Sequence, residues 1–178
     1  MRTETTMWIA DGWQDYELLD CSRGEKLERW GEVYLVRPDP QAIWDTPRKN
    51  RHWQTRNARY IRSESGGGSW EKGSIPEVWE MHYRELCFRV KPMNFKHTGL
   101  FPEQAANWDW AMAKIRAAGR PVRVLNLFAY TGAATVACLK ATGAPWEPFH
   151  IRHPPMQCFI YFAITSRPKI PPEGPERL

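Results

Sequence analysis

The sequence predicts an α/β protein, α+β overall, and three observations carry that prediction. The first ninety residues are rich in short alternating segments and hold seven of the ten Trp. Residues 103–143 read as helix, strand, turn, helix. The strand of that unit is mostly apolar, which points to a sheet covered on both faces. Residues 145–178 break the pattern. They hold eight of the fifteen Pro in 34 positions, too many for regular sheet or helix.

The elements follow in order. Tyr16 to Asp20 and Val33 to Arg37 read as short strands, separated by the turn-like Ser22-Arg23-Gly24. Pro38-Asp39-Pro40 stops the second. Ser63 to Ser69, with three consecutive Gly, reads as a flexible loop. Val78 to Tyr83 and Leu86 to Val90 alternate and pair as a hairpin across Arg84-Glu85. Most of the Trp in this region are expected in strand packing.

Beyond Lys91-Pro92 the texture becomes helical. Pro102 suits a first helical position and Gly119 the position just past a helix end. Ala105, Trp108, Met112 and Ile115 fall on one face between them. Val122 to Phe128 is an apolar run of strand length. Ala129-Tyr130-Thr131-Gly132 is a tight connection, and Ala133 to Thr142 is an Ala-rich helix stopped by Gly143. Thr131 is the expected N-cap.

Composition excludes several classes. The chain has 178 residues, 42% apolar and 25% charged, which argues against disorder, collagen and fibres. No apolar run approaches the roughly 18–20 residues that span a bilayer, and none follows the N-terminus as in a secretory signal. Cys21, Cys87, Cys138 and Cys158 form no Cys-x-x-Cys pair, so no metal or redox motif is expected from them. They read as reduced thiols, mostly core fillers, in a cytoplasmic protein with no membrane and no metal partner.

Charge is local. Arg48, Lys49, Arg51, Arg56, Arg59 and Arg62 place six cations in fifteen residues that hold no acid. The chain's net charge is +5, so the other 163 residues sum to −1. Trp53 and Tyr60 lie inside the basic segment. Cations beside aromatic rings suit a phosphate backbone with exposed bases, so Arg48, Lys49, Arg51, Trp53, Arg56, Arg59 and Arg62 are the candidate RNA contacts. A solvated basic loop fits the charge equally well.

The turn from 128 to 132 is the candidate ligand site, because open α/β sheets bind ligands beyond the carboxyl ends of their strands. Gly132 lets backbone approach a ligand, and the amides of the next helix start favour an anionic group. Phe128 and Tyr130 offer ring faces to a cation or a purine. S-adenosylmethionine carries a carboxylate, a cation and an adenosine, and would use all three features. As spacing alone, an ordinary strand–helix turn explains the same residues.

The segment Val124-Leu125-Asn126-Leu127-Phe128-Ala129-Tyr130-Thr131-Gly132 resembles the first cofactor motif of class I S-adenosylmethionine-dependent methyltransferases. The branch it most resembles contains the bacterial large-subunit ribosomal RNA cytosine-C5 methyltransferases. Phe95 to Gln104, continuing through Asn107-Trp108, is similar to the segment ahead of the methyltransferase sheet in that branch. Arg59-Tyr60-Ile61-Arg62 with the triple Gly, and Leu18-Leu19-Asp20 with Gly24 to Glu28, resemble its N-terminal part. The resemblance covers roughly residues 14–144.

It implies a β-rich N-terminal substrate module at 1–91, then the start of a Rossmann-like methyltransferase sheet at 92–144, with 145–178 an irregular Pro-rich tail. It implies S-adenosylmethionine as cofactor and methyl transfer to RNA, ribosomal RNA in particular. By carry-over, Asn126, Phe128, Ala129, Tyr130, Thr131 and Gly132 wrap the cofactor, while Thr98, Phe101, Gln104 and Asn107 close the pocket from the other side. His97 is expected to make a loop hydrogen bond rather than act as a base. No catalytic residue is assigned.

After Ala144 the resemblance stops. The family continues with a strand ending in an acid that holds the cofactor's ribose, and Pro145-Trp146-Glu147-Pro148 supplies no such pattern. A βαβ unit takes roughly 30 residues, so the remaining 34 hold about one. The chain therefore reads as a truncated member with a foreign, frameshift-like tail. Its alternatives are a non-catalytic RNA-binding fragment and a non-functional partial fold. His153-Pro154-Pro155 and Cys158 are discounted as catalytic groups, since no acid precedes the prolines and nothing activates the thiol.

Overall fold

A computed structural model describes residues 8–127 and 129–143. The expectations for Phe128 and for the 145–178 tail, with His153 and Cys158, lie outside the described residues.

Seven strands and two α-helices make up the α+β architecture of the described residues. The strands are β1 (Tyr16–Ser22), β2 (Glu25–Trp30), β3 (Val33–Pro38), β4 (Ala58–Arg62), β5 (Gly68–Lys72), β6 (Trp79–Tyr83) and β7 (Leu86–Val90). The helices are α1 (Ala105–Ala117) and α2 (Ala133–Thr142). Strands β1 to β5 form one mixed sheet in chain order, and β6 and β7 form a separate hairpin. The β3–β4 pairing is parallel, through Leu35–Ala58 and Val36–Arg59, and the other pairings are antiparallel.

Two strand regions differ from the sequence expectation. Residues 25–30, placed in the link between two strands, are β2 at the middle of the β1–β2–β3 meander. The end of the basic segment is strand β4, which pairs with β5 as a hairpin from Ala58–Lys72 to Arg62–Gly68, and the expected loop is its five-residue connection, Ser63 to Gly67. Gly is obligatory at 68. Its φ is +150°, and a Cβ there would lie 2.2 Å from the Ile61 carbonyl oxygen.

The helices fall where the punctuation put them. Pro102 opens a 3-10 turn (Pro102–Gln104) that leads directly into α1. Ala105, Trp108 and Met112 bury their face of α1 as expected. Gly143 ends α2 in a left-handed conformation. The N-cap of α2 is Gly132, not Thr131, whose hydroxyl is engaged elsewhere.

The apolar run from 122 is the main departure. Residues 121–127 adopt no regular secondary structure and pair with no described strand. A strand is held by ladder bonds to a neighbour, and without one the apolar pattern does not make sheet. Leu125 and Leu127 stay 60% and 51% exposed.

One core joins the two parts of the chain. Trp30, Leu35, Tyr83 and Val90 from the β-rich half pack with Trp108, Met112 and Ala137 from the helices. Trp108 is its centre, with rings of Tyr83 at 5.9 Å, Phe88 at 5.2 Å and Trp13 at 6.1 Å. Offset and edge-on aromatic pairs of this kind add to the area they bury. Leu27, Val36 and Trp53 make a smaller cluster on the other face of the meander.

Candidate functional site: the 97–101 loop against the 129–132 turn

Two segments some thirty residues apart in sequence meet at the start of α2. The first is the return of a loop closed by Met93 N–H to His97 O at 3.0 Å and Lys91 N–H to Thr98 O at 3.2 Å. The second is the turn Ala129–Gly132, closed by Gly132 N–H to Ala129 O at 2.7 Å. Thr131 Oγ1 donates to Gly99 O at 2.5 Å and pins the two together. The Phe101 ring packs on Tyr130 at 4.7 Å, and His97 lies edge-on to both rings at 5.5 and 6.2 Å.

Tyr130 has a φ of +51°, a region that bulky side chains seldom occupy. Its position is over-determined by Phe101, by Met93 Sδ 3.8 Å from its hydroxyl, and by the anchored Thr131 beside it. Strain held by surrounding structure is a feature of ligand clamps. Burial pushes the Tyr130 phenol above its ordinary pKa, against a Gly99 backbone hydrogen bond and Arg37. Burial first, then the charges of Arg37 and Lys96, hold the His97 imidazole below its ordinary value. The half-buried His97 ring packs edge-on against Phe101 and Tyr130, and the loop hydrogen bond expected of it is not made by the ring among the described residues.

Thr98 is fully buried, and its hydroxyl has no hydrogen-bond partner. A buried, unpaired hydroxyl costs stability and asks for a ligand or water.

The ten candidate cofactor residues divide. Thr98, Phe101, Ala129, Tyr130, Thr131 and Gly132 belong to the joined segments. Gln104 and Asn107 are exposed at the start of α1, and Asn107 Nδ2 donates to Gln104 Oε1 at 2.9 Å. Asn126 Nδ2 donates to Thr135 Oγ1 at 3.0 Å, tying the 121–127 segment to α2. Phe128 lies outside the described residues.

The basic segment is more internal than its charge suggests. Trp53 is buried, donates from Nε1 to Asp20 Oδ2 at 2.8 Å and carries the Arg48 guanidinium 4.1 Å over its ring. It is therefore a core ring and not a platform on which a base can stack. Glu25 takes Arg48 at 2.9 Å and Arg59 at 2.8 Å, and Glu71 reaches Arg56 at 3.5 Å. Lys49, Arg51 and Arg62 are exposed, and no ion-pair partner meets them among the described residues. Arg62 sits close enough to Lys96 for its charge, with those of Lys26 and Arg37, to help lower the Lys96 pKa after burial.

A buried charge pair was not foreseen in the sequence. Glu28 and Arg37 meet inside the meander, and the Tyr16 hydroxyl donates to Glu28 at 2.9 Å. Glu28 in a six-residue run with three other charged side chains reads as surface. Only its ion pair with Arg37, diagonally across on β3, shows that it is inside.

No family model matches the chain, and no curated protein does. Solved structures do. A SAM-dependent methyltransferase from Agrobacterium tumefaciens superposes with a TM-score of 0.68 at 35% identity, over 74% of this chain and 42% of its own length. A putative SAM-dependent methyltransferase from Streptococcus mutans superposes with a TM-score of 0.50 at 16% identity, over 74% of this chain and 37% of its own. The described part of the chain therefore has the fold of part of a SAM-dependent methyltransferase, and the chain spans about two fifths of the length of the relatives it matches.

Proposed function

We propose that this chain belongs to the class I S-adenosylmethionine-dependent methyltransferases, in the branch that modifies ribosomal RNA. The carrying observation is the contact between the 97–101 loop and the 129–132 turn. The two segments that separately resemble the family's cofactor motifs are tied by Thr131–Gly99 and by the Phe101–Tyr130 ring pair. The likeness to SAM-dependent methyltransferases supports the same reading.

The residues fit the cofactor. The buried Thr98 hydroxyl lacks a partner that a ligand's polar group would supply. A Cβ placed on Gly132 at the start of α2 would meet none of the described residues within 4 Å, so ligand atoms can approach the backbone from that side. Aromatic faces of Phe101 and Tyr130 suit a cation such as a sulfonium. When bound, S-adenosylmethionine supplies an electrophilic methyl group. This chain's part is to hold and orient it, and positioning two reactants is itself a large share of catalysis.

RNA is the proposed partner because Lys49, Arg51 and Arg62 lie on the exposed side of the basic segment, with Lys96 near Arg62. Released counterions make such contacts favourable. Trp53 contributes by fixing Arg48, not by stacking. The companion reading is an RNA-binding module without catalysis. Titration with S-adenosylmethionine separates them: a saturable heat supports the methyltransferase reading, and its absence in a folded chain leaves the RNA module alone.

A further inference from the structure

The β6–β7 hairpin carries a second group of reactive side chains, on the face turned away from the core. Glu80 and His82 are two residues apart on β6 and so share a face. The hairpin register sets His82 directly opposite Cys87. All three side chains are exposed, and their candidate ligand atoms lie within 4.8 Å of one another. The Cys87 thiol lies within that distance of the Glu80 carboxylate. Cys87 is accordingly not the core filler that its residue type suggests.

A fourth residue arrives from the segment ahead of β1. Asp15 Oδ2 accepts from the His82 backbone N–H at 2.7 Å and lies 3.1 Å from His82 Nδ1. Asp15 is itself anchored, since its carbonyl accepts from Gly31 N–H at 2.6 Å. In the tautomer that donates Nδ1–H to Asp15, the lone pair of Nε2 is left for a metal. Carboxylate support of this kind fixes the ring and raises its basicity in metal sites.

We propose that Glu80, His82 and Cys87 form a binding site for a zinc-type divalent cation, with Asp15 as the carboxylate that orients His82. The donor set is one thiolate, one imidazole and one carboxylate, which suits zinc, with water completing a tetrahedron. Tetrahedral zinc with bonds of about 2.0–2.3 Å holds its ligand atoms roughly 3.3–3.7 Å apart. Closing from within 4.8 Å takes side-chain rotation only, and exposed side chains rotate readily. Binding releases the thiol proton to solvent, and the thiolate and carboxylate together balance the two positive charges. Arg89 stands opposite Glu80 and is the competing cation. Cys-x-x-Cys spacing cannot reveal such a site, because strand register and not sequence distance brings the ligands together. The bound ion would brace the hairpin against the entry to β1.

The test uses cobalt(II) as a coloured stand-in for zinc, titrated into the full chain without chelators. One equivalent should produce a thiolate-to-cobalt charge-transfer band that zinc then displaces. Cys87→Ser should abolish the band while Cys21→Ser keeps it. Asp15→Asn should weaken binding by about 10–100-fold, as outer-sphere partners do. Zinc should also raise the unfolding midpoint of the wild type and not that of Cys87→Ser. A band that survives Cys87→Ser, or its absence in wild-type protein whose circular dichroism shows it folded, overturns the site.

Discussion

Arg37 meets Glu28 through two hydrogen bonds, 2.6 Å from Nε and 2.7 Å from Nη2, with both side chains out of water between β2 and β3. The carboxylate also accepts from Tyr16, and Lys26 approaches it at 3.2 Å. On its other side Arg37 donates to the Lys96 carbonyl at 3.0 Å, one residue before His97. The pair thus links the sheet to the loop that forms the candidate site. Glu28→Ala is expected to cost about 3–5 kcal/mol in denaturant unfolding, because it leaves Arg37 buried and unpaired. Replacing both partners by apolar residues should cost less than the sum of the single changes.

The same pair sets an acid limit. Burial disfavours the Glu28 carboxylate, but Arg37 and Lys26 outweigh it and hold the pKa below the ordinary 4.5. A depressed carboxylate contributes its stability above the unfolded value and loses it as pH falls through the folded one. Unfolding free energy should therefore decline below about pH 4.5 in the wild type. Glu28→Gln should flatten that decline, which equilibrium unfolding at several pH values will show.

Trp108 is the centre of the shared core, so Trp108→Ala should destabilise by roughly 3–5 kcal/mol. If residues on either side of position 91 folded separately, only the helical part would respond. A single transition that shifts as a whole in both far- and near-ultraviolet circular dichroism is the expected outcome.

RNA affinity should divide along the pairing pattern of the basic segment. Replacing Lys49, Arg51 and Arg62 by Ala should lower the slope of log K against log salt by about 2, at roughly 0.7 per lost single-strand phosphate contact. Arg48→Ala and Trp53→Phe should change thermal stability more than that slope, because these two residues hold each other and Glu25 or Asp20. An unchanged slope in the triple variant removes the phosphate role.

Much of the fold was legible from local signals. Alternation marked β1, β3 and the β6–β7 hairpin, while Pro102 with Gly119, and Gly143, marked the helices. What stayed hidden depended on partners distant in sequence. Strand β2 was obscured because Glu28 looks like surface until Arg37 is seen to pair with it. The β4–β5 hairpin was masked by cations and a Gly run whose geometry only the opposite strand explains. Trp53 looked like a stacking ring, although Asp20 and Arg48 enclose it. In the candidate site, the meeting of Tyr130 with Phe101 follows from the family-like motifs, but the Asn126–Thr135 and Asn107–Gln104 bonds do not. Amide side chains take whichever partner the packed fold brings within reach.

The central claim is that the joined 97–101 and 129–132 segments hold S-adenosylmethionine. Calorimetric titration of the chain with this ligand, up to about 1 mM, tests it most directly. The account predicts saturable one-to-one binding, weakened at least tenfold in Tyr130→Ala and several-fold in Thr98→Val, with the Thr98→Val fold kept or stabilised because a buried unpaired hydroxyl is removed. Wild-type protein that is folded yet gives no binding heat at that concentration, or binding indifferent to both substitutions, would contradict it.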